Sequence, residues 1–130
     1  MATILIVDDE ANLRAILAIA LGESHKVIEA SNGEEGLREF EKHKPELIIT
    51  DLAMPVMNGL EMVCRLRASN SQVKIVVLST FHNNSEAEIL KAGADLCLKK
   101  PIDLNTLEQA ITPLLKAQKG TARSNCQGFN

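Results

Sequence analysis

The sequence predicts a doubly wound α/β domain: a parallel five-stranded sheet flanked by five helices. Three observations carry that expectation. Five short apolar runs alternate with five stretches of helical periodicity. The first, third and fourth runs are apolar almost throughout, as strands covered on both faces are, whereas the second and fifth are shorter and suit sheet edges. Two central runs then end in carboxylates, at Asp8 and Asp51. These features favour the strand order 2-1-3-4-5, the flavodoxin-like arrangement, whose ligand crevice lies where strands one and three diverge at their carboxyl ends.

The elements follow in order. Residues 4–7 (Ile-Leu-Ile-Val) form the first run, and Leu13, Ile16, Leu17, Ala20 and Leu21 mark the apolar stripe of the first helix. Val27 and Ile28 form the second run, followed by a helix bearing Leu37 and Phe40. Residues 47–49 lead through Asp51 to a third helix carrying Leu60, Val63 and Leu66. Residues 75–78 form the fourth run. Ser85 and Glu88 then have capping-box spacing, opening a short helix that stops near Gly93. After the fifth run, residues 96–98, Asp103 is placed to cap a last helix with the stripe Leu104, Leu107, Ile111, Leu114 and Leu115. Pro113 is expected to kink that helix or loosen its last turn. We expect one domain over residues 1–119 and a disordered polar tail over 120–130.

A chain of 130 residues is long enough to bury about two-thirds of the surface it exposes when unfolded. Its three cysteines, Cys64, Cys97 and Cys126, lack zinc-ligand spacing and fit a reduced, cytoplasmic setting. No apolar stretch approaches the roughly 20 residues of a membrane span. A formal charge of −3, with no Trp or Tyr, argues against direct nucleic-acid binding.

The candidate site is the acidic cluster. Unit charges about 4 Å apart repel by roughly 4 kcal/mol at an effective dielectric near 20, so Asp8, Asp9 and Asp51 cannot all remain ionised unaided. Protonation or a hard divalent cation relieves them, and Mg²⁺ suits an all-oxygen site that leaves room for phosphate. An acidic helix N-terminus would explain Asp8, Asp9 and Glu10 alone, but not the matching carboxylate of Asp51. Ser79 and Lys100, ending the fourth and fifth runs, add the hydroxyl and ammonium that phosphoryl oxygens require.

Four motifs, ILIVDDE at residues 4–10, DLAMPVMNG at 51–59, KAGAD at 91–95 and KKPID at 99–103, together resemble the receiver domain of two-component response regulators. The resemblance implies that Asp51 accepts a phosphoryl group from the phosphohistidine of a sensor histidine kinase or phosphotransfer protein. It implies Mg²⁺ held by Asp9, Asp51 and the Ala53 carbonyl, with Asp8 acting through water, Ser79 binding the phosphoryl group and Lys100 pairing with it. It further implies a switch on the surface of the fourth helix, fifth strand and fifth helix, in a signalling protein that assists its own phosphorylation and dephosphorylation.

Three departures stand out. The segment after Ser79 is about one residue shorter than usual, Thr80 replaces an alanine, and Cys97, read as a half-buried packing residue, occupies the place of a switching aromatic ring. The rival reading is a haloacid-dehalogenase-type aspartyl phosphatase, which also uses an aspartate nucleophile with Mg²⁺. That family requires a second aspartate two positions later, where this chain has Ala53.

Overall fold

The computed structural model describes residues 2–54, 56–69, 72–79 and 86–119. Five strands, β1 (Thr3–Val7), β2 (Lys26–Ala30), β3 (Leu47–Asp51), β4 (Lys74–Ser79) and β5 (Leu96–Lys99), alternate with α1 (Ala11–Gly22), α2 (Gly33–His43), α3 (Gly59–Ala68), α4 (Glu86–Ala92) and α5 (Leu104–Lys119). The strands pair in parallel in the expected order β2-β1-β3-β4-β5.

Side-chain alternation along the strands divides the core into two layers. Leu5, Val7, Ile48, Ile75, Val77 and Cys97 face one side, packing with Met62, Val63 and Leu66 of α3 and Ile89 of α4. Ile4, Ile6, Leu47, Ile49, Val76 and Leu78 face the other, against Leu17 and Leu21 of α1 and Leu107 and Ile111 of α5. Covering both faces is what makes the central runs continuously apolar.

Helix starts follow local chemistry. Asn32, Asn58 and Asp103 cap α2, α3 and α5, each side chain accepting a backbone N–H three residues on. No side chain caps α1, so the acidic group before it is not a helix cap. Helix α5 continues through Pro113, whose exposed position lets water hydrate the carbonyl deprived of its helical donor. Ser85, Thr80, Phe81 and the tail over 120–130 lie outside the described residues.

Two packing expectations need correction. Ile16 lies off the core stripe of α1, 53% exposed beside the still more exposed Ile19, because the buried stripe narrows to Leu17 and Leu21. Cys97 is buried, not half-buried. Burial first, and the charge of Glu86 second, push its thiol up to about 11, which makes it an unreactive packing residue near neutral pH.

A polar lock closes the edge of the sheet remote from β2. The Arg67 guanidinium donates to the Gly93 carbonyl at 2.9 Å, the Val73 carbonyl at 2.8 Å and Asp95 Oδ2 at 2.9 Å, while Asp95 Oδ2 also accepts the Ile75 N–H at 2.8 Å. Gly93, at φ 127°, lies against Arg67 so closely that a Cβ would collide with its side chain. Arg67→Ala would leave a carboxylate and two carbonyls short of donors, and we expect a loss of about 3 kcal/mol in urea unfolding. A loss below about 1 kcal/mol would show water replacing the guanidinium at little cost.

Candidate functional site

The carboxyl ends of β1, β3, β4 and β5 bring the anticipated residues to one crevice. Asp8 and Asp9 follow β1, Asp51 ends β3, Ser79 ends β4 and Lys100 follows β5. One carboxylate oxygen each from Asp8, Asp9 and Asp51 lies within 4.8 Å of the others. The Lys100 ammonium sits 3.1 Å from Asp51 Oδ1 and 3.7 Å from Asp8 Oδ2. Ser79 is buried, and its carbonyl accepts the Lys100 N–H at 2.8 Å, tying β4 to the β5 exit. Ala53 is exposed in the loop two residues beyond Asp51.

The main chain sets Asp51. Its Oδ1 accepts the Leu52 N–H at 2.8 Å as well as the Lys100 ammonium, while Oδ2 has no hydrogen bond or ion pair among the described residues. Gly59 packs directly on the Asp51 carbonyl, where any Cβ would collide with it, and donates its N–H to the Leu52 carbonyl at 2.8 Å. The same loop holds Val56 in the left-handed region at φ 68°, a costly conformation for a β-branched residue. The Lys100–Pro101 peptide bond that follows the ammonium is cis.

Charge is unevenly distributed in the crevice. Burial pushes the Asp8 carboxyl above its usual range, outweighing the Glu10 N–H bond and the Lys100 charge that favour ionisation; Asp51 and Asp9 push it further up. Burial pulls Lys100 down, but Asp51, Asp8 and Glu10 more than offset this, leaving the ammonium harder to deprotonate than usual. One ammonium facing three carboxylates leaves a net deficit of positive charge that a hard divalent ion would fill. The all-oxygen donor set, with only a few carboxylates, fits Mg²⁺ better than zinc.

Sequence reasoning missed Arg14. Its Nη1 donates to the Asp8 carbonyl at 2.6 Å and its Nε to Glu29 Oε1 at 3.0 Å, contacts that join α1 to two strand ends and leave no trace in hydrophobic periodicity.

Fold and crevice together define an α/β domain with a cation-ready acidic pocket at its topological switch point. The chain belongs to the response regulator receiver domain family, which it matches over residues 4–112. It is thus a receiver domain of two-component signal transduction, a signalling domain. It is 33% identical over 126 residues to the two-component response regulator PhoP of Pseudomonas aeruginosa, covering 95% of this chain and 56% of that protein. It is 38% identical to the nitrate/nitrite response regulator NarL of Escherichia coli, covering 97% of this chain and 67% of NarL. The chain therefore spans only part of the curated relatives it matches. Among solved structures, response regulator TrrA of Thermotoga maritima, in complex with Mg²⁺ and BeF, superposes with a TM-score of 0.79 at 32% identity, covering 88% of this chain and 99% of that one. The Francisella response regulator 1452 receiver domain gives 0.85 at 25% identity, covering 91% and 99%. Among the described residues, no helix is long and apolar enough to cross a membrane.

Proposed function

We propose that Asp51 is the phosphoacceptor of this receiver domain and takes its phosphoryl group from a phosphohistidine of a sensor histidine kinase or phosphotransfer protein. The observation that carries this reading is Asp51 itself. Its Oδ1 is anchored by Leu52 and Lys100, and Oδ2 is without a protein partner among the described residues. In the transfer an Asp51 oxygen forms a bond to phosphorus, the phosphorus–nitrogen bond breaks, and the imidazole leaves with its electron pair and takes up a proton. Asp9, Asp51 and the Ala53 carbonyl would hold Mg²⁺, with Asp8 acting through water. When bound, the ion supplies charge neutralisation for the phosphoryl oxygens. Lys100 shifts from the carboxylates to a phosphoryl oxygen, and Ser79 donates its hydroxyl to another. The relative solved with Mg²⁺ and BeF supports the same assignment by likeness.

The acyl phosphate carries more negative charge than the carboxylate it replaces, so Ser79 and Lys100 are drawn inward and the α4-β5-α5 surface changes population. The same groups, with water, would assist dephosphorylation. The phosphatase alternative has no support at Ala53, which carries no acid. Relatives include transcriptional regulators and the sensor kinase/phosphatase LuxN, so the downstream partner is not specified by likeness. Among the described residues Cys64 and Cys97 are free thiols, which favours a reducing, cytoplasmic setting.

Incubation with acetyl phosphate and Mg²⁺ tests the reading. Intact-mass spectrometry should show one added phosphoryl group, dependent on Mg²⁺ and suppressed by EDTA. No addition at any Mg²⁺ concentration would overturn it.

An apolar face beside the site fits the donor. Leu13 and Ile16 of α1 join Pro101 and Ile102 around a cavity of about 440 Å³ that reaches Lys100, and Ile19 continues the exposed apolar surface. Ile16→Asp should slow transfer from the cognate kinase by at least about tenfold, as loss of an interface anchor does, while leaving acetyl phosphate labelling unchanged. Equal slowing of both reactions would place the effect inside the pocket instead.

A further inference from the structure

We propose that Arg14 is a positioning residue for the metal-binding carboxylates, an inference that rests on reading the crevice as a Mg²⁺ site. The β1-β2 ladder ends where the Asp8 N–H donates to the Ala30 carbonyl at 3.0 Å. Beyond that point the strands part and the Asp8 carbonyl has no strand partner. Arg14 Nη1 takes it at 2.6 Å, one helical turn into α1, where the Arg14 N–H is itself bonded to the Glu10 carbonyl at 3.0 Å.

Every polar atom of Asp8 is consequently engaged. The N–H goes to Ala30, the carbonyl to Arg14, Oδ1 to the Glu10 N–H at 2.8 Å, and Oδ2 faces Lys100 at 3.7 Å. Asp9, by contrast, is exposed and its carboxylate has no hydrogen bond or ion pair among the described residues. Its place in the cluster is set by the main chain on either side, which Arg14 holds at the Asp8 carbonyl and Asp8 Oδ1 holds at the Glu10 N–H. The planar guanidinium is itself oriented by Glu29 Oε1 at 3.0 Å, at the end of the neighbouring strand. A lysine keeps the charge but cannot span both partners in one fixed fork.

Charge and positioning predict opposite signs. If Arg14 acted only as a nearby positive charge, removing it would tighten cation binding, since like charges repel. If it positions Asp8 and Asp9, removing it must weaken binding, as loss of partners behind a metal ligand does.

Mg²⁺ titrations followed by amide NMR shifts on the parent, Arg14→Met and Arg14→Lys chains decide between them. We expect the Mg²⁺ dissociation constant to rise between about three- and tenfold in both variants. In the metal-free state, the Asp8 carbonyl carbon should shift as its charged donor is lost, while thermal unfolding reports that the variants remain folded. Arg14→Lys keeps the charge and most of the stem, so it carries the test if Arg14→Met fails to fold. A dissociation constant below the parent's, or above it by less than about twofold, would overturn the positioning role. A parent chain that binds no Mg²⁺ would instead overturn the reading of the site.

Discussion

Asp51→Asn should abolish phosphoryl uptake: with acetyl phosphate and Mg²⁺, the parent gains one phosphoryl group and the variant none. The amide oxygen is a far weaker nucleophile than a carboxylate, and the neutral side chain gives up both the ion pair with Lys100 and one of the three clustered negative charges. A rate reduced at least about a thousandfold corresponds to roughly 4 kcal/mol of lost transition-state stabilisation. The fold should survive, because an asparagine oxygen can still accept the Leu52 N–H and one charge is removed from a repulsive cluster. The parent adduct should tolerate acid better than phosphohistidine does. Undiminished labelling of the variant would place the acceptor elsewhere.

Asp8→Asn should separate stability from metal binding. The parent Asp8 is 2% exposed and its carboxyl is held above the usual range, chiefly by burial, so ionising it works against the metal-free fold. Asparagine keeps an acceptor for the Glu10 N–H, and without metal we expect the variant to be more stable by roughly 1 kcal/mol near neutral pH. The sign follows from linkage: a carboxyl with a raised folded pKa favours folding at low pH, and that contribution is lost as pH rises through the folded pKa. Stability of Asp8→Asn minus that of the parent should therefore grow as pH climbs above 3.8 and level off once the parent Asp8 is fully ionised. Glu35 acts in the opposite sense. Its carboxyl is lowered by the Ser31 hydroxyl and N–H, so its contribution is present above 4.5 and lost in acid, equally in both chains. High Mg²⁺ should reverse the order, because a ligand that binds the folded parent more tightly than the folded variant adds more stability to the parent. Paired urea denaturations with and without Mg²⁺ measure all of this. A variant less stable than the parent in EDTA would mean that the Lys100–Asp8 attraction outweighs desolvation.

The strand order and site were legible because both rest on signals local to the sequence. Doubly covered strands are written as apolar runs, and the crevice lies where those runs stop, so Asp8, Asp9, Asp51, Ser79 and Lys100 could be placed from position alone. Asp103 was legible as a cap for the same reason. Contacts between distant segments were not. Arg14 reaches Asp8 and Glu29, and Arg67 reaches Val73, Gly93 and Asp95, through side chains that any exposed helix face carries. Ile16 has the right spacing for the core but falls on the flank of its helix, a rotation that periodicity over three turns does not resolve.

The contact between Gly59 and the Asp51 carbonyl bears on how such a domain can diversify. Backbone meets backbone there, with no side chain between to absorb an error, so the first turn of α3 and the tip of β3 move as one piece. The main-chain position of Asp51 is then a property of the chain trace, and side chains such as Lys100 act on its carboxylate alone. Substitutions elsewhere in the core can accumulate without moving that backbone, while an added methyl at position 59 would displace the Asp51 main chain itself. The chain differs from PhoP at about two-thirds of the aligned positions, and a contact made by main chain does not depend on which side chains surround it.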